Sequence, residues 1–238
     1  DLAAHVHERE HRCGGFFAFA TREEAEAFIA IEPVSPQSLS GPYVIDNQAT
    51  VNEWLPQTTE LNIRNTITWL SSFTNRYYNS AHGQQASLDL MARWMDVADG
   101  RSDVSIDLVP CGNCGQQYSV VLTITGQTLP DEIVVLGGHL DSISSAASSN
   151  PQNGSAPGAD DDASGIAVLT ETLRIALGNG WKPQRTVKFM AYAAEEVGLN
   201  GSKAIAQSFA AAPRKNVVGV LQLDMTNYTT NWAGKKDL

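Results

Sequence analysis

Ile133-Val134-Val135-Leu136-Gly137-Gly138-His139-Leu140-Asp141 begins as an apolar, β-branched run and ends on two glycines, an imidazole and a carboxylate. A short apolar run bounded in this way reads as a buried strand. Two later stretches follow the same plan. Val187-Lys188-Phe189-Met190-Ala191-Tyr192-Ala193-Ala194 leads into Glu195-Glu196, and Val217-Val218-Gly219-Val220-Leu221-Gln222-Leu223 leads into Asp224. Helical patterns separate them. Ile166, Leu169, Leu173 and Leu177 recur at helical spacing, and Gly178 and Gly180 offer a stop. A second helix fits residues 201–212, before Pro213. Strand, helix, strand, helix, strand implies right-handed crossovers and an α/β fold with a mostly parallel central sheet flanked by helices. Ligands of such sheets bind beyond the carboxyl ends of the strands. His139, Glu195, Glu196 and Asp224 all stand at those ends, which makes residues far apart in sequence neighbours in space.

Between the first two strands lies Gly158-Ala159-Asp160-Asp161-Asp162-Ala163-Ser164-Gly165, three carboxylates at the mouth of a helix. Taken singly, each feature has a plainer reading. A lone histidine after a strand is usually a hydrogen-bonded core residue, a Glu-Glu pair a solvated surface, and an Asp triplet a helix cap, with Asp162 or Ser164 suited to that role. Asp224 is harder to dismiss, because an unpaired carboxylate beside a buried strand is costly. Four such features on one sheet edge point jointly to a metal-dependent hydrolase site, since carboxylate and imidazole are the ligands zinc takes for hydrolysis.

Gly137-Gly138-His139-Leu140-Asp141-Ser142, Gly158 to Gly165, Ala193-Ala194-Glu195-Glu196-Val197-Gly198-Leu199, Gly201-Ser202 and Leu223-Asp224-Met225 resemble the zinc aminopeptidases of peptidase family M28, most of all the secreted bacterial leucyl aminopeptidases of the Vibrio type. Gln48-Ala49-Thr50-Val51, Trp54-Leu55-Pro56, Ser72-Phe73-Thr74-Asn75-Arg76 and Met190-Ala191-Tyr192-Ala193 extend the resemblance over roughly residues 44–230. It implies the zinc exopeptidase (phosphorylase/hydrolase-like) fold and two zinc ions about 3.5 Å apart. Asp161 would bridge them, His139 and Asp224 would complete one, and Glu196 would serve the other with a further histidine. Glu195 would be the general base, passing a proton from water to the leaving amine. Asp141 would accept the proton on the far ring nitrogen of His139 and so fix its tautomer. Asp162 would help from behind or simply cap the helix. The implied substrate is a peptide with a free N-terminus, often a bulky apolar residue such as Leu, and the net charge of −10 suits a cationic α-amine.

The five histidines, at 5, 7, 11, 82 and 139, all precede Asp224, whereas the resemblance places the second zinc's histidine after it. The expectation is that the rest of the catalytic domain, with this ligand and further strands, is disordered, deleted or carried on a complementing C-terminal fragment, and that residues 41–238 are the N-terminal portion of the catalytic domain. Residues 1–40 read as a propeptide tail and linker, with a strand over 16–19, a capping box at Thr21-Arg22-Glu23-Glu24 opening a helix to Ile31, and Pro-rich residues 33–42 as the link. Two rival readings are a single-zinc amide hydrolase or cyclase-type relative and a non-catalytic module keeping the fold. The intact Glu195 argues against the second.

His7-Glu8-Arg9-Glu10-His11 matches the H-E-x-x-H zinc helix. That helix must be buried to work, and here it sits in a nearly all-charged segment ended by Cys13-Gly14-Gly15, so a surface charge cluster is the better account. Residues 104–109 and 118–124 alternate like a hairpin whose turn holds Cys111-Gly112-Asn113-Cys114. Zinc would need a second ligand pair and redox chemistry a helix start, which leaves a local disulfide as the preferred reading and two free thiols next. Leu61, Ile63, Ile67 and Leu70 form one helical core stripe, and Leu88, Met91, Trp94 and Met95 another. The absence of a basic stripe argues against nucleic acid, and no run is long enough for a membrane span. Acidic composition, the disulfide and the resemblance together place the protein outside the cell.

Overall fold

The computed structural model describes residues 16–30, 45–147, 149–212 and 216–226, together with His5 and Arg9. The remainder of the His7 to His11 motif, Cys13 and the 33–42 linker fall outside the described residues.

Among residues 16–98 the described α-helices are α1 (Arg22–Ile29), α2 (Gln48–Trp54), α3 (Glu60–Leu70) and α4 (Ala81–Ala98). A hairpin follows, β1 (Val104–Val109) and β2 (Ser119–Ile124). The chain then alternates as β3 (Leu129–His139), α5 (Ala163–Gly178), β4 (Arg185–Tyr192), α6 (Asn200–Ala210) and β5 (Asn216–Gln222). The sheet order is β1-β2-β4-β3-β5. β3 pairs in parallel with both β4 and β5, while β2 runs antiparallel to β1 and β4. The expected parallel core is therefore present, and the hairpin extends it on one side with a single reversed strand.

The chain moves from β3 to β4 in one direction and from β4 back across β3 to β5 in the other. Right-handed crossovers then force the two connecting helices onto opposite faces. α5 packs on one face with α3 and α4 around Leu90, Trp94, Leu122, Phe189 and Leu169, and α6 covers the other through Ile205 against Ile133, Val135 and Met190. Each fully buried apolar side chain here stabilises by roughly 1.5–3 kcal/mol. The reversal makes the carboxyl ends of β3 and β4 a topological switch point, where an open sheet leaves a crevice.

The expected stripe of α5 is buried at Ile166, Leu169, Leu173 and Leu177, and Asp162 caps the helix by accepting from the Gly165 N–H at 2.9 Å. Two other expectations are corrected. On α4 the buried face is Ala86, Ser87, Leu90 and Trp94, while Leu88 and Met95 are 41% and 51% exposed. On α3 Leu61 also faces solvent. In both helices the choice of face follows where the sheet lies, and small residues win on α4 because they allow close approach to β2: the Ser87 hydroxyl donates to the Tyr118 carbonyl at 2.9 Å and accepts from its N–H at 3.2 Å. β5, read as buried, sits at the sheet edge among the described residues, with Val220 64% exposed. A parallel strand is normally covered on both faces.

Residues 16–19 form no strand. Phe17 and Phe19 instead pack on Phe28 of α1, and the Ala18 N–H donates to the Gly198 carbonyl at 3.3 Å. Half of the capping box is formed, with Thr21 Oγ1 accepting from the Glu24 N–H; Glu24 reaches back to the Ala20 N–H, one residue before the cap, and α1 ends at Ile29. Cys111 and Cys114 are joined by a disulfide, and Cys114 is buried against Ala193 and Ala194.

Glu171 locks α3 to α5. It accepts from the Thr59 N–H (2.9 Å), from Asn62 Nδ2 (3.1 Å) and from Arg174 Nε and Nη2 (both 2.7 Å). Burial opposes its charge, but these donors outweigh it and hold its pKa below the usual carboxylate value. A depressed carboxylate stabilises the fold above its unfolded pKa and loses that contribution as pH falls through its folded pKa. Glu171→Gln should therefore lower stability by about 1–2 kcal/mol at pH 7. The difference from wild type should close below about pH 4. Urea midpoints across pH check this, and a difference that grows on acidification would defeat it.

Candidate metal centre

His139 is the last residue of β3 and fully buried. Its N–H donates to Asp162 Oδ2 at 2.9 Å. That approach requires glycine at the preceding position, since a Cβ on Gly138 would lie 2.8 Å from the same oxygen. Nε2 of His139 lies 2.8 Å from Asp161 Oδ1 and 3.8 Å from Asp224 Oδ1. Nδ1 faces Asp141, 3.1 Å from its main-chain carbonyl and 3.5 Å from Oδ1. Asp141 thus orients the ring largely through its main chain rather than through its carboxylate alone. The carboxylate is occupied elsewhere. Its Oδ1 accepts from the Glu195 N–H at 2.8 Å and its Oδ2 from the Glu196 N–H at 3.1 Å. One side chain from the β3 exit therefore fixes the main chain of both glutamates at the β4 exit.

His139, Asp161 and Glu196 each offer a ligand atom within 4.8 Å of the others, and so do His139, Asp162 and Asp224. In the second group Asp162 has both oxygens engaged by the His139 and Gly165 N–H groups, so its role is cap and brace. The four residues read from the sequence as metal ligands thus converge at the switch point: His139 and Glu196 buried, Asp161 and Asp224 more open. Glu195 is also buried there, and its Oε2 has no hydrogen-bond partner among the described residues.

Burial is the main force on these acids. It pushes Glu195 up to about 7, against the pull of His139 and with help from Asp141, Asp224 and Asp161. It raises Glu196 well above the usual range, again opposed by His139 and reinforced by Asp161 and Asp141. Burial also raises Asp162 to about 7. For His139 burial favours the neutral ring, but hydrogen bonds to Asp141, Asp161 and Asp224 outweigh it and the pKa rises. Several buried acids crowd one imidazole, an arrangement whose missing counter-charge a divalent cation supplies. An oxygen-rich set with one imidazole fits zinc or a similar ion used for hydrolysis. An apolar cavity of about 590 Å³ between α6 and the sheet is lined by Val135, Met190, Ile205 and Phe209 and by none of the four candidate ligands.

Residues 119–233, which contain His139, Asp161, Glu196 and Asp224, match the model of peptidase family M28. This stretch belongs to peptidase family M28. A probable aminopeptidase of Saccharomyces cerevisiae is 32% identical over 226 residues, covering 91% of this chain and 56% of the relative. Leucine aminopeptidase 1 of Trichophyton equinum is 36% identical over 216 residues, covering 88% and 56%. The crystal structure of the Legionella pneumophila LapA aminopeptidase superposes with a TM-score of 0.73 at 30% identity, over 85% of this chain and 51% of that one. The chain spans about half the length of the relatives it matches. The M28 motifs carry the four candidate ligands. Asp162, expected either to help from behind or to cap the helix, does both, while the burial of Arg76 beside the cluster follows only from the fold.

Proposed function

We propose that the protein carrying this chain is a zinc aminopeptidase that removes N-terminal residues, bulky apolar ones such as Leu among them, from peptides. The observation that carries this reading is the convergence of His139, Asp161, Glu196 and Asp224 around a buried glutamate whose Oε2 is unpartnered. His139 and Asp224 would hold one zinc and Glu196 a second, with Asp161 between them and a further histidine supplied from beyond Asp224. Zinc in such a site polarises a carbonyl and lowers the pKa of water. Glu195 takes the proton from water at Oε2 and returns it to the leaving amine. In the metal-free site burial pushes its pKa up to about 7, the direction that helps a carboxylate carry a proton. Asp141 keeps Glu195 and Glu196 aligned through their N–H groups, so that adjacent carboxylates take different roles. The Cys111–Cys114 disulfide supports a secreted protein.

Elemental analysis with an intact mass, beside hydrolysis of leucine anilide in free-amine and N-acetylated forms, tests the reading. Zinc bound and only the free amine cleaved is the expected result. Two zinc per protomer would support the full ligand set. Cleavage of the blocked substrate in preference to the free one would overturn the aminopeptidase assignment.

A further inference from the structure

Arg76 is among the most deeply buried side chains of the molecule, with no exposure at all. Its guanidinium is spent on main-chain carbonyls. Nε donates to Leu140 at 2.8 Å, Nη1 to Leu70 at 3.2 Å and to Pro157 at 2.5 Å, and Nη2 to Gly158 at 2.9 Å. Leu140 lies between His139 and Asp141, and Pro157-Gly158 lead directly into Asp160-Asp161-Asp162. The Arg76 main chain extends the network. Its N–H donates to Ser142 Oγ at 2.9 Å, and that hydroxyl donates to the Ala156 carbonyl at 2.7 Å. Its carbonyl accepts from Gln117 Nε2 at 3.1 Å, while Gln117 Oε1 accepts from the Ala194 N–H at 3.1 Å, one residue before Glu195. Next to it, Asn75 Nδ2 donates to the carbonyls of Gln152 and Gly154.

We infer that Arg76 is a positioning residue for the metal centre, the strut that sets the His139 to Asp141, Asp160 to Asp162 and Ala194 to Glu196 segments in register with one another. Sheet pairing holds β3 and β4 together only as far as His139 and Tyr192, and the 157–162 turn belongs to neither strand. Hydrogen bonds from Arg76 reach Leu140 directly, the 160–162 turn through Pro157 and Gly158 just ahead of it, and Ala194 through Gln117. A planar fork of fixed geometry suits this role, and a lysine ammonium cannot reproduce it. Gly158 is shaped to the same contact: it has φ +50°, and a Cβ there would lie 2.8 Å from Arg76 Nη2. Burial pulls the guanidinium pKa down to about 10 while Asp141, Asp162, Asp161 and Glu196 pull it up, so the strut stays charged at neutral pH.

The inference rests on the metal reading of the site, and the test separates the two. Zinc affinity is measured by competition with a chelator for wild type, Arg76→Lys and Ser142→Ala, and amide hydrogen exchange is followed in each metal-free protein. Outer contacts that orient ligands are worth about 10–100-fold in metal affinity. Arg76→Lys should weaken zinc by at least about tenfold, and amides of residues 156–162 and 194–196 should exchange faster while those of α5 and β4 keep their protection. Ser142→Ala leaves the buried charge in place and cuts only the link from Arg76 to Ala156. It should weaken zinc by a smaller factor and loosen the 156–162 segment alone, which keeps the test open if Arg76→Lys does not fold. Unchanged zinc affinity in either folded variant, or a loss of protection spread evenly through the core, would overturn the strut. Failure of the wild-type chain to take up zinc would overturn the metal reading beneath it.

Discussion

Glu195→Gln should leave zinc in place and lower turnover by about 10²–10⁴-fold, the range that a positioned proton carrier supplies. The amide matches the carboxylate in size, so the buried setting of Glu195 beside Ala193 and Ala194 is kept. The Asp141 clamp is kept as well, because it grips the Glu195 N–H and not the side chain. What disappears is a buried acidic oxygen that has no partner among the described residues, Oε2. Since Glu196 and not Glu195 belongs to the ligand group around His139, metal content should not follow activity down. Single-turnover assays on the zinc-loaded protein, with zinc measured on the same sample, decide the matter. Turnover within a few-fold of wild type would remove Glu195 from the chemistry, and loss of zinc would make it a ligand.

Asp161→Asn should have the opposite signature. Zinc affinity should fall by more than about a hundredfold, because contacts that merely orient ligands already reach 10–100-fold and Asp161 is placed to touch the metal itself. Its Oδ1 is 2.8 Å from His139 Nε2, and its side chain is 22% exposed, so the substitution takes a charge from the site without opening the core. The fold should persist, with the α5 cap of Asp162 intact. Chelator competition at constant pH, with far-ultraviolet circular dichroism as the folding control, reads both. Undiminished zinc binding in the folded variant would move the metal away from Asp161.

Both predictions use residues that could be picked from the sequence, and the reason is local. His139, Glu195-Glu196 and Asp224 each close an apolar run, and the alternation of strands with helices puts such closing residues on one edge of a sheet whatever the packing details. The α5 stripe was readable for the same kind of reason, since Ile166, Leu169, Leu173 and Leu177 leave one face apolar. The stripe on α4 was readable only in part. Trp94 is buried and Met91 packs on the core as expected, but Leu88 and Met95 face solvent, and Ala86, Ser87 and Leu90 turn inward because the sheet lies on that side of the helix. Residues 16–19 had strand-like composition, yet they packed as an aromatic cluster on α1, where side-chain contact outweighed β propensity.

By itself, then, the amino-acid sequence determined the α/β alternation, a helix cap at Asp162 or Ser164 and the identities of the residues at the switch point, because periodicity, capping and strand ends are properties of neighbouring residues. Only the tertiary structure decided that the Asp141 carbonyl is the nearer acceptor for His139 while its carboxylate grips Glu195 and Glu196, and that Asp162 reaches the His139 N–H. It alone placed Arg76 against Leu140, Pro157 and Gly158. These contacts join groups from separate strands and loops, and their partners are largely main-chain N–H and C=O groups that every residue carries. Nothing in the order of side chains marks which of them will meet, and the meeting is settled by how the sheet and its crossovers bring the loops together.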